Sequence, residues 1–285
     1  MNLLVIEPAE VGADARCAIR DRRAQHLREV VGARVGSRVR AGIVGGGKGT
    51  AEVVADDGVA ITLQLALTDP PSMPLPIDLV LAIPRPKVLT RAIEIAVSFG
   101  VARIELTNAW RVDKSYLESP RLAPEALADA SRRGAEQGAT TYIPPIAIHP
   151  RLMKLLDARW PAGPSSDPRG GDASRAWDDA RIPDALDSWS TTGSPRDARR
   201  PDAIPRPETR LIAHPNAPPI ETAPLRGDIV LAIGPEGGWI ERELDTFVAR
   251  GFTAVSLGTP ILRVEAALAA ALAQLMLLRR LGTPA

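Results

Sequence analysis

One stretch constrains this chain more than any other, the run from Asp228 to Trp239 (DIVLAIGPEGGW). Ile229 to Ile233 is continuously apolar and partly β-branched, the pattern of a strand buried on both faces of a parallel sheet. The run stops at Gly234-Pro235-Glu236-Gly237-Gly238, where three glycines let the backbone turn tightly and approach a ligand. Ile240 to Arg250 then reads as a helix with Ile240, Leu244, Phe247 and Val248 on one face, closed by Gly251. Thr253 to Leu257 reads as a second buried strand, followed by a loop from Gly258 to Leu262. A long Ala/Leu helix follows, from Arg263 to about Leu281, with Arg279 and Arg280 in its last turn. Two strand–loop–helix units in succession predict a parallel sheet whose loops gather at the carboxyl ends of the strands. Open α/β sheets bind their ligands there.

The same alternation begins earlier. Ile77 to Ile83 predicts a strand, Val88 to Phe99 an amphipathic helix closed by Gly100, and Val101 to Thr107 another strand. A loop at Trp110–Lys114, a helix at Pro124–Gly138 and a strand at Arg210–His214 continue the series. The proline-rich run from Asp69 to Pro76 marks a linker. Before it, residues 1–70 read as a small β unit with strands near 3–6, 35–44, 50–55 and 59–67 and one helix over Asp21–Val31. The chain is therefore expected to be α/β, with a small β domain at 1–70 and a parallel-sheet domain at 76–285. Residues 161–208 stand apart: eight prolines, nine acidic and seven basic residues, and only three of Leu, Ile, Val or Phe. Such a composition cannot bury enough apolar surface to offset ordering entropy and predicts a disordered insertion, with a transient helix at Ala173–Trp189.

Net charge over all 285 residues is +1, so the chain as a whole is no polycation. Its charge is uneven, however, with nine Lys/Arg against three Asp/Glu between Asp14 and Lys48. A basic face on a small β domain suits an RNA backbone, and it equally suits plain solvation. The single Cys17 allows no intramolecular disulfide and fits a reducing compartment. His26, His149 and His214 lie far apart without ligand-spaced partners, so no metal site is expected. The longest apolar helix carries Glu265 and Gln274 and is too short to span a bilayer. The amino-terminal stretch has no basic leader region, so the expected location is the cytoplasm, with no membrane association.

Gly42-Ile-Val-Gly-Gly-Gly47-Lys48 matches most of a phosphate-binding P-loop. Position 49 is glycine where a Ser/Thr hydroxyl should reach magnesium, and a strand-like segment follows where a helix is required. A hairpin loop is the better description, with Lys48 still available to an RNA phosphate.

Taken together, Gly234-Pro-Glu-Gly-Gly238 and Ser256-Leu-Gly-Thr-Pro-Ile-Leu-Arg-Val-Glu265 resemble the ribosomal small-subunit methyltransferase E (RsmE) family. Taken alone, the first is also the turn of any strand–helix junction. The resemblance extends to Lys87, Phe99-Gly-Val101, Arg111–Ser115 and Glu136-Gln137, and in part to the Asp21–Val31 helix. It implies a SPOUT-type methyltransferase dependent on S-adenosylmethionine (SAM), with a carboxyl-terminal trefoil knot after a PUA-like β-barrel. It implies methylation of N3 of a uridine in 16S ribosomal RNA of the small ribosomal subunit, and a homodimer built on the closing helix. It assigns the cofactor to His214, to Ile233 with the loop Gly234, Pro235, Glu236, Gly237 and Gly238, and to Leu257, Gly258, Ile261 and Leu262.

No covalent cysteine step is needed at nitrogen, but removal of the N3 proton calls for a base or a nearby positive charge. Arg263 and Glu265, at the start of the closing helix, are the catalytic candidates, and an ion pair between them is the structural alternative. Glu236 alternatively caps the helix that follows it. RNA contact falls to Arg22, Arg23, His26, Arg28 and Lys48, with Arg111 and Lys114 from the later loop. Two departures from the family stand out. Ala139-Thr140-Thr141 replaces an arginine after Glu-Gln, and Ala266 replaces a threonine after Arg-x-Glu. These leave open a different RNA site, or RNA binding without catalysis on the same scaffold.

Overall fold

The computed structural model describes residues 2–161 and 208–282. Most of the insertion, including the transient helix expected at Ala173–Trp189, lies outside them. The chain forms two compact units. The first comprises Met1–Pro74 with Val97–Gly100 and Ala128–Ile143, and the second the remainder. The break between Pro74 and Leu75 falls in the proline-rich linker.

The first unit holds β1 (Leu4–Ile6), β2 (Arg16–Ile19), α1 (Arg22–His26), β3 (Arg38–Ile43), β4 (Lys48–Asp56) and β5 (Ile61–Asp69), in the sheet order β1-β3-β4-β5-β2. Only β1 and β3 run parallel. Alternation directs Ile61, Leu63 and Leu65 of β5 inward with Cys17 and Ile19 of β2, and Leu27 closes the core. Helix α1 is shorter than its periodicity predicts. It passes into a π turn over Leu27–Val31 that ends at Gly32 in the left-handed region, φ 68°. The P-loop-like run is the β3–β4 hairpin: the Ile43 N–H donates to the Gly47 carbonyl and Gly45 takes φ 68°. Glycine at 49 has a steric reason, since a Cβ there would lie 2.2 Å from the Ala66 carbonyl oxygen of β5.

The second unit contains β6 (Ile77–Ala82), most of α2 (Pro86–Phe99), β7 (Arg103–Thr107), α3 (Lys114–Leu117) and the start of α4 (Pro124–Gly138). It continues with β8 (Ile146–His149), α5 (Leu152–Arg159), β9 (Glu208–Ala213), β10 (Asp228–Ile233), α6 (Glu241–Val248), β11 (Thr253–Val255) and α7 (Val264–Gly282). The six strands form one wholly parallel sheet in the order β11-β9-β10-β6-β7-β8. Ile229 to Ile233 of β10 are buried throughout, as a strand covered on both faces requires. Because β11, β9 and β10 are adjacent and parallel, the loops leaving their carboxyl ends share one edge of the sheet.

Two details depart from the sequence pattern. Val248, expected on the apolar face of α6, is 52% exposed. The buried positions of that helix are instead Glu243 and Phe247, one turn apart. Glu208, counted with the insertion, is the first residue of β9 and pairs with Asp228.

Candidate active site

The loops after β9, β10 and β11 enclose a cleft of about 330 Å³, walled on one side by Val264 and Ala267 of α7. Its lining includes every residue that the resemblance assigns to the cofactor, from His214 and Ile233 through the glycine loop to Leu257, Gly258, Ile261 and Leu262.

Each loop is held by its own local bonds. After β9, the His214 N–H donates to the Val255 carbonyl at 2.9 Å, continuing the strand pairing. His214 Nδ1 then accepts the Asn216 N–H at 3.3 Å. After β11, Gly258 sits at φ 132°, its N–H directed to Ser256 Oγ, and Gln274 of α7 donates Nε2 to the Leu257 carbonyl at 3.1 Å. After β10, Gly238 takes φ 70° and its N–H closes a turn on the Pro235 carbonyl at 2.8 Å.

The other two glycines of this loop are needed for space. A Cβ on Gly234 would lie 3.1 Å from Trp239 Nε1, and one on Gly237 would lie 2.9 Å from Arg111 Cδ. Trp239 is buried beneath the loop with its indole N–H unpartnered, and its ring stacks edge-on against Phe247 at 5.0 Å. Phe247 in turn meets Phe252, and Phe252 meets Trp160, so an aromatic row supports the glycine loop from below.

The remaining candidate residues fall in different places. Arg263 and Glu265 flank Val264 at the start of α7. Val264 lines the cleft and they do not, and neither side chain has a partner among the described residues. The ion pair offered as their structural alternative is therefore absent from the described residues. Glu236 does not cap α6. Its Oε1 accepts the Arg85 N–H at 2.9 Å, and Glu243 takes the capping position instead.

Arg111, grouped with the RNA contacts in the sequence, belongs to the cleft wall, where its guanidinium donates to the Gly237 carbonyl. Lys114 is exposed at the start of α3, beside the Asp113 carboxylate that caps this short helix.

In the first unit, Arg23 must be removed from the set of surface cations. It is 3% exposed, and its guanidinium is taken up by Glu10, Asp21 and the Val5 carbonyl. Burial works against the charge on Glu10 and Asp21, but the Arg23 guanidinium outweighs it and holds both carboxyls below the usual range. Arg22 remains partly exposed and pairs with Glu136 at 2.9 Å, and Arg28 pairs with Asp56 at 2.7 Å. His26 and Lys48 are half-buried.

The chain belongs to the family of RNA methyltransferase domains, which matches residues 71–162 and 199–276. Among its relatives is the ribosomal RNA small subunit methyltransferase E of Treponema pallidum. The two are 28% identical over 276 residues, covering 96% of this chain and 90% of that one. The resemblance to RsmE read from the two glycine-loop motifs is thus borne out.

The fold is also that of two solved structures. One is a ribosomal RNA small subunit methyltransferase E from Neisseria gonorrhoeae bound to S-adenosyl methionine, with TM-score 0.66, 22% identity and 98% of each chain covered. The other is a methyltransferase from Legionella pneumophila in complex with the bound cofactor SAM, with TM-score 0.67, 19% identity and 97% of each chain covered.

Proposed function

We propose that this chain is a SAM-dependent methyltransferase of the RsmE kind, acting on N3 of a uridine in 16S ribosomal RNA of the small ribosomal subunit. The observation that carries the reading is the cleft, where three loops from adjacent parallel strands converge. Its size falls at the lower end of the ~300–1,000 Å³ typical of small-molecule sites. Gly234 and Gly237 let the loop lie close against Trp239 and Arg111, the Trp239 indole N–H lacks an acceptor among the described residues, and Ile261 is 88% exposed on the lip. These features suit a ligand with polar ends and an apolar middle, so the residues fit SAM.

His214, the glycine loop and Leu257–Leu262 hold the cofactor in this reading. When bound, SAM supplies an electrophilic methyl group on a sulfonium. The protein's own contribution is alignment of donor and acceptor and handling of the imide proton. Glu265, in the first turn of α7, receives that proton, and Arg263, just before the helix, favours the anionic uracil. Mass spectrometry of ribosomal RNA from a strain lacking the gene tests the reaction. Loss of one N3-methyluridine is expected, and an unchanged methylation map would overturn the assignment.

The finer architecture belongs to the same proposal: a SPOUT trefoil knot in the parallel-sheet unit, a PUA-like RNA-binding barrel in the first, a cytoplasmic location and a homodimer on α7. The helix supports the dimer. Among the described residues, the helix buries Val264, Leu268, Ala271, Leu272 and Leu275, one stripe at helical spacing. Ala266 and Ala273 are exposed, as is Leu277 at 45%, so a second apolar surface has small residues to pack against. Ala270→Glu should yield a monomer by light scattering and abolish methyl transfer together with dimerisation. A monomer retaining full transfer would remove the dimer from the mechanism.

A further inference from the structure

We propose that Glu243 is a positioning residue that latches the Arg111 loop to the glycine loop and so sets the shape of the methyl-donor cleft. This inference rests on the SAM reading of the cleft above. Glu243 is wholly buried, at 0% exposure, in the first turn of α6. Its Oε1 accepts the backbone N–H of Trp110 at 2.8 Å, and its Oε2 accepts that of Ile240 at 2.9 Å. The second bond is ordinary helix capping, which an exposed glutamate performs equally well. The first spans 133 residues of sequence and has no capping purpose.

A buried carboxylate without a hydrogen-bonded cation is costly, and burial pushes this one up from its ordinary range against the two N–H bonds and the Arg111 charge. The fold retains it where it joins two loops of one cleft. Trp110 is followed directly by Arg111, whose guanidinium donates to the Gly237 carbonyl and whose aliphatic carbons fill the space above Gly237. The glycine loop is thus tied at Gly237 by Arg111 and at Ile240 by Glu243, and the Arg111 loop is tied to the same carboxylate. Glu243 reaches the ligand only through these two loops, because it does not line the cleft itself.

Glu243→Gln keeps one acceptor oxygen and turns a donor toward the other N–H, so one tie is lost with little change in volume. Glu243→Ala loses both. Hydrogen exchange on the ligand-free full chain reads the latch directly. Amides of residues 109–112 should exchange about tenfold faster in Glu243→Ala, while those of 229–233 keep their protection. Unchanged exchange at 109–112, or equal acceleration in 229–233, would overturn the proposal. In calorimetry with SAM, Glu243→Gln and Arg111→Ala should each weaken binding about tenfold, and the double variant should be little worse than either single one. Additive losses would show that Glu243 does not act through Arg111, and would overturn the proposal. A wild-type chain that binds no SAM would instead remove the cofactor reading, while the exchange result still decides the latch.

Discussion

Arg23 in the first unit and Glu243 in the second are both buried charges, and they are satisfied in opposite ways. Arg23 is a cation surrounded by two partly exposed carboxylates and a carbonyl. Glu243 is an anion held by two backbone N–H groups from segments far apart in sequence. An ion cluster of side chains fastens neighbouring pieces of one small sheet unit, the turn at Pro8–Glu10 among them, away from the cleft lining. A carboxylate that spends both oxygens on backbone donors fixes the path of two loops, and those loops form the cleft. The charge that stabilises a domain and the charge that shapes a site are thus distinguished by their partners more than by their depth.

The largest expected effect falls on the first of these. Arg23→Met leaves Glu10 and Asp21 facing each other without their cation and should destabilise the first unit by on the order of 3 kcal/mol. Urea unfolding followed by exchange of the β1 and β2 amides measures it. SAM affinity should stay within about twofold of wild type. A large fall in SAM affinity would mean that the Arg23 cluster supports the cleft as well, and the distinction would fail.

Gly237→Val makes the complementary change in the second unit. Its Cβ would meet Arg111 Cδ at 2.9 Å, so the side chain that closes the cleft wall must move. The cost of such overpacking is about 1–3 kcal/mol, which predicts a loss of SAM affinity of roughly ten- to a hundredfold in a chain that remains folded. Unchanged affinity by calorimetry would move the cofactor away from this loop.

The arginines that remain at the surface of the first unit carry a smaller effect. Arg22 and Arg28 already hold acidic partners, so any phosphate must compete with Glu136 and Asp56. Reversing both to Glu should weaken RNA binding and reduce the slope of log affinity against log salt by about one for each phosphate no longer neutralised, with SAM affinity unchanged. An unaltered slope would leave them as structural ion pairs and transfer RNA binding to Lys48 and Lys114.

Much of this was legible in the sequence where a local pattern carries the information. The apolar run of β10, the glycines after it and the paired motif beginning at Ser256 place two loops at the carboxyl ends of parallel strands, and the family resemblance adds the loop after His214. What escaped was set by long-range contacts or by weak patterns. Strand β2 offers only Cys17 and Ile19 to its core, too few to register as alternation. Strand β8 and helix α5 lie between Pro144-Pro145 and the insertion, where prolines and loop composition conceal eight helical residues. Arg23 reads as a surface cation because it stands in a basic run with Arg22 and Arg28; only the fold brings Glu10 to it. Arg111 meets Gly237 across 126 residues, and Glu243 looks like any third-position helix cap until Trp110 is found on its other oxygen.

The gentlest test of the contrast is acid. Glu10 and Asp21 have folded-state pKa values below their unfolded ones, so their stabilisation is complete above the unfolded values, about 4, and is lost as pH falls through the folded ones. Asp56, bonded to Arg28, and Asp57, bonded to the Ala60 and Val59 N–H groups, add to the same loss in the first unit. Glu243 has the opposite sign. Burial raises its folded pKa, so its cost is complete above the folded value, is relieved as pH falls through that value, and is gone below the unfolded one. Asp113 opposes this in the second unit, held low by Ser115 on an exposed loop. Acidification should therefore loosen the first unit while the second keeps its protection. In hydrogen exchange measured from pH 6 down to about pH 3, corrected for intrinsic rates, amides of β1 and β2 should open before those of β10. Arg23→Met should remove much of that pH dependence, since it removes the cation that lowers Glu10 and Asp21. Simultaneous opening of both units in the wild-type chain would show that the Arg23 cluster does not govern acid stability.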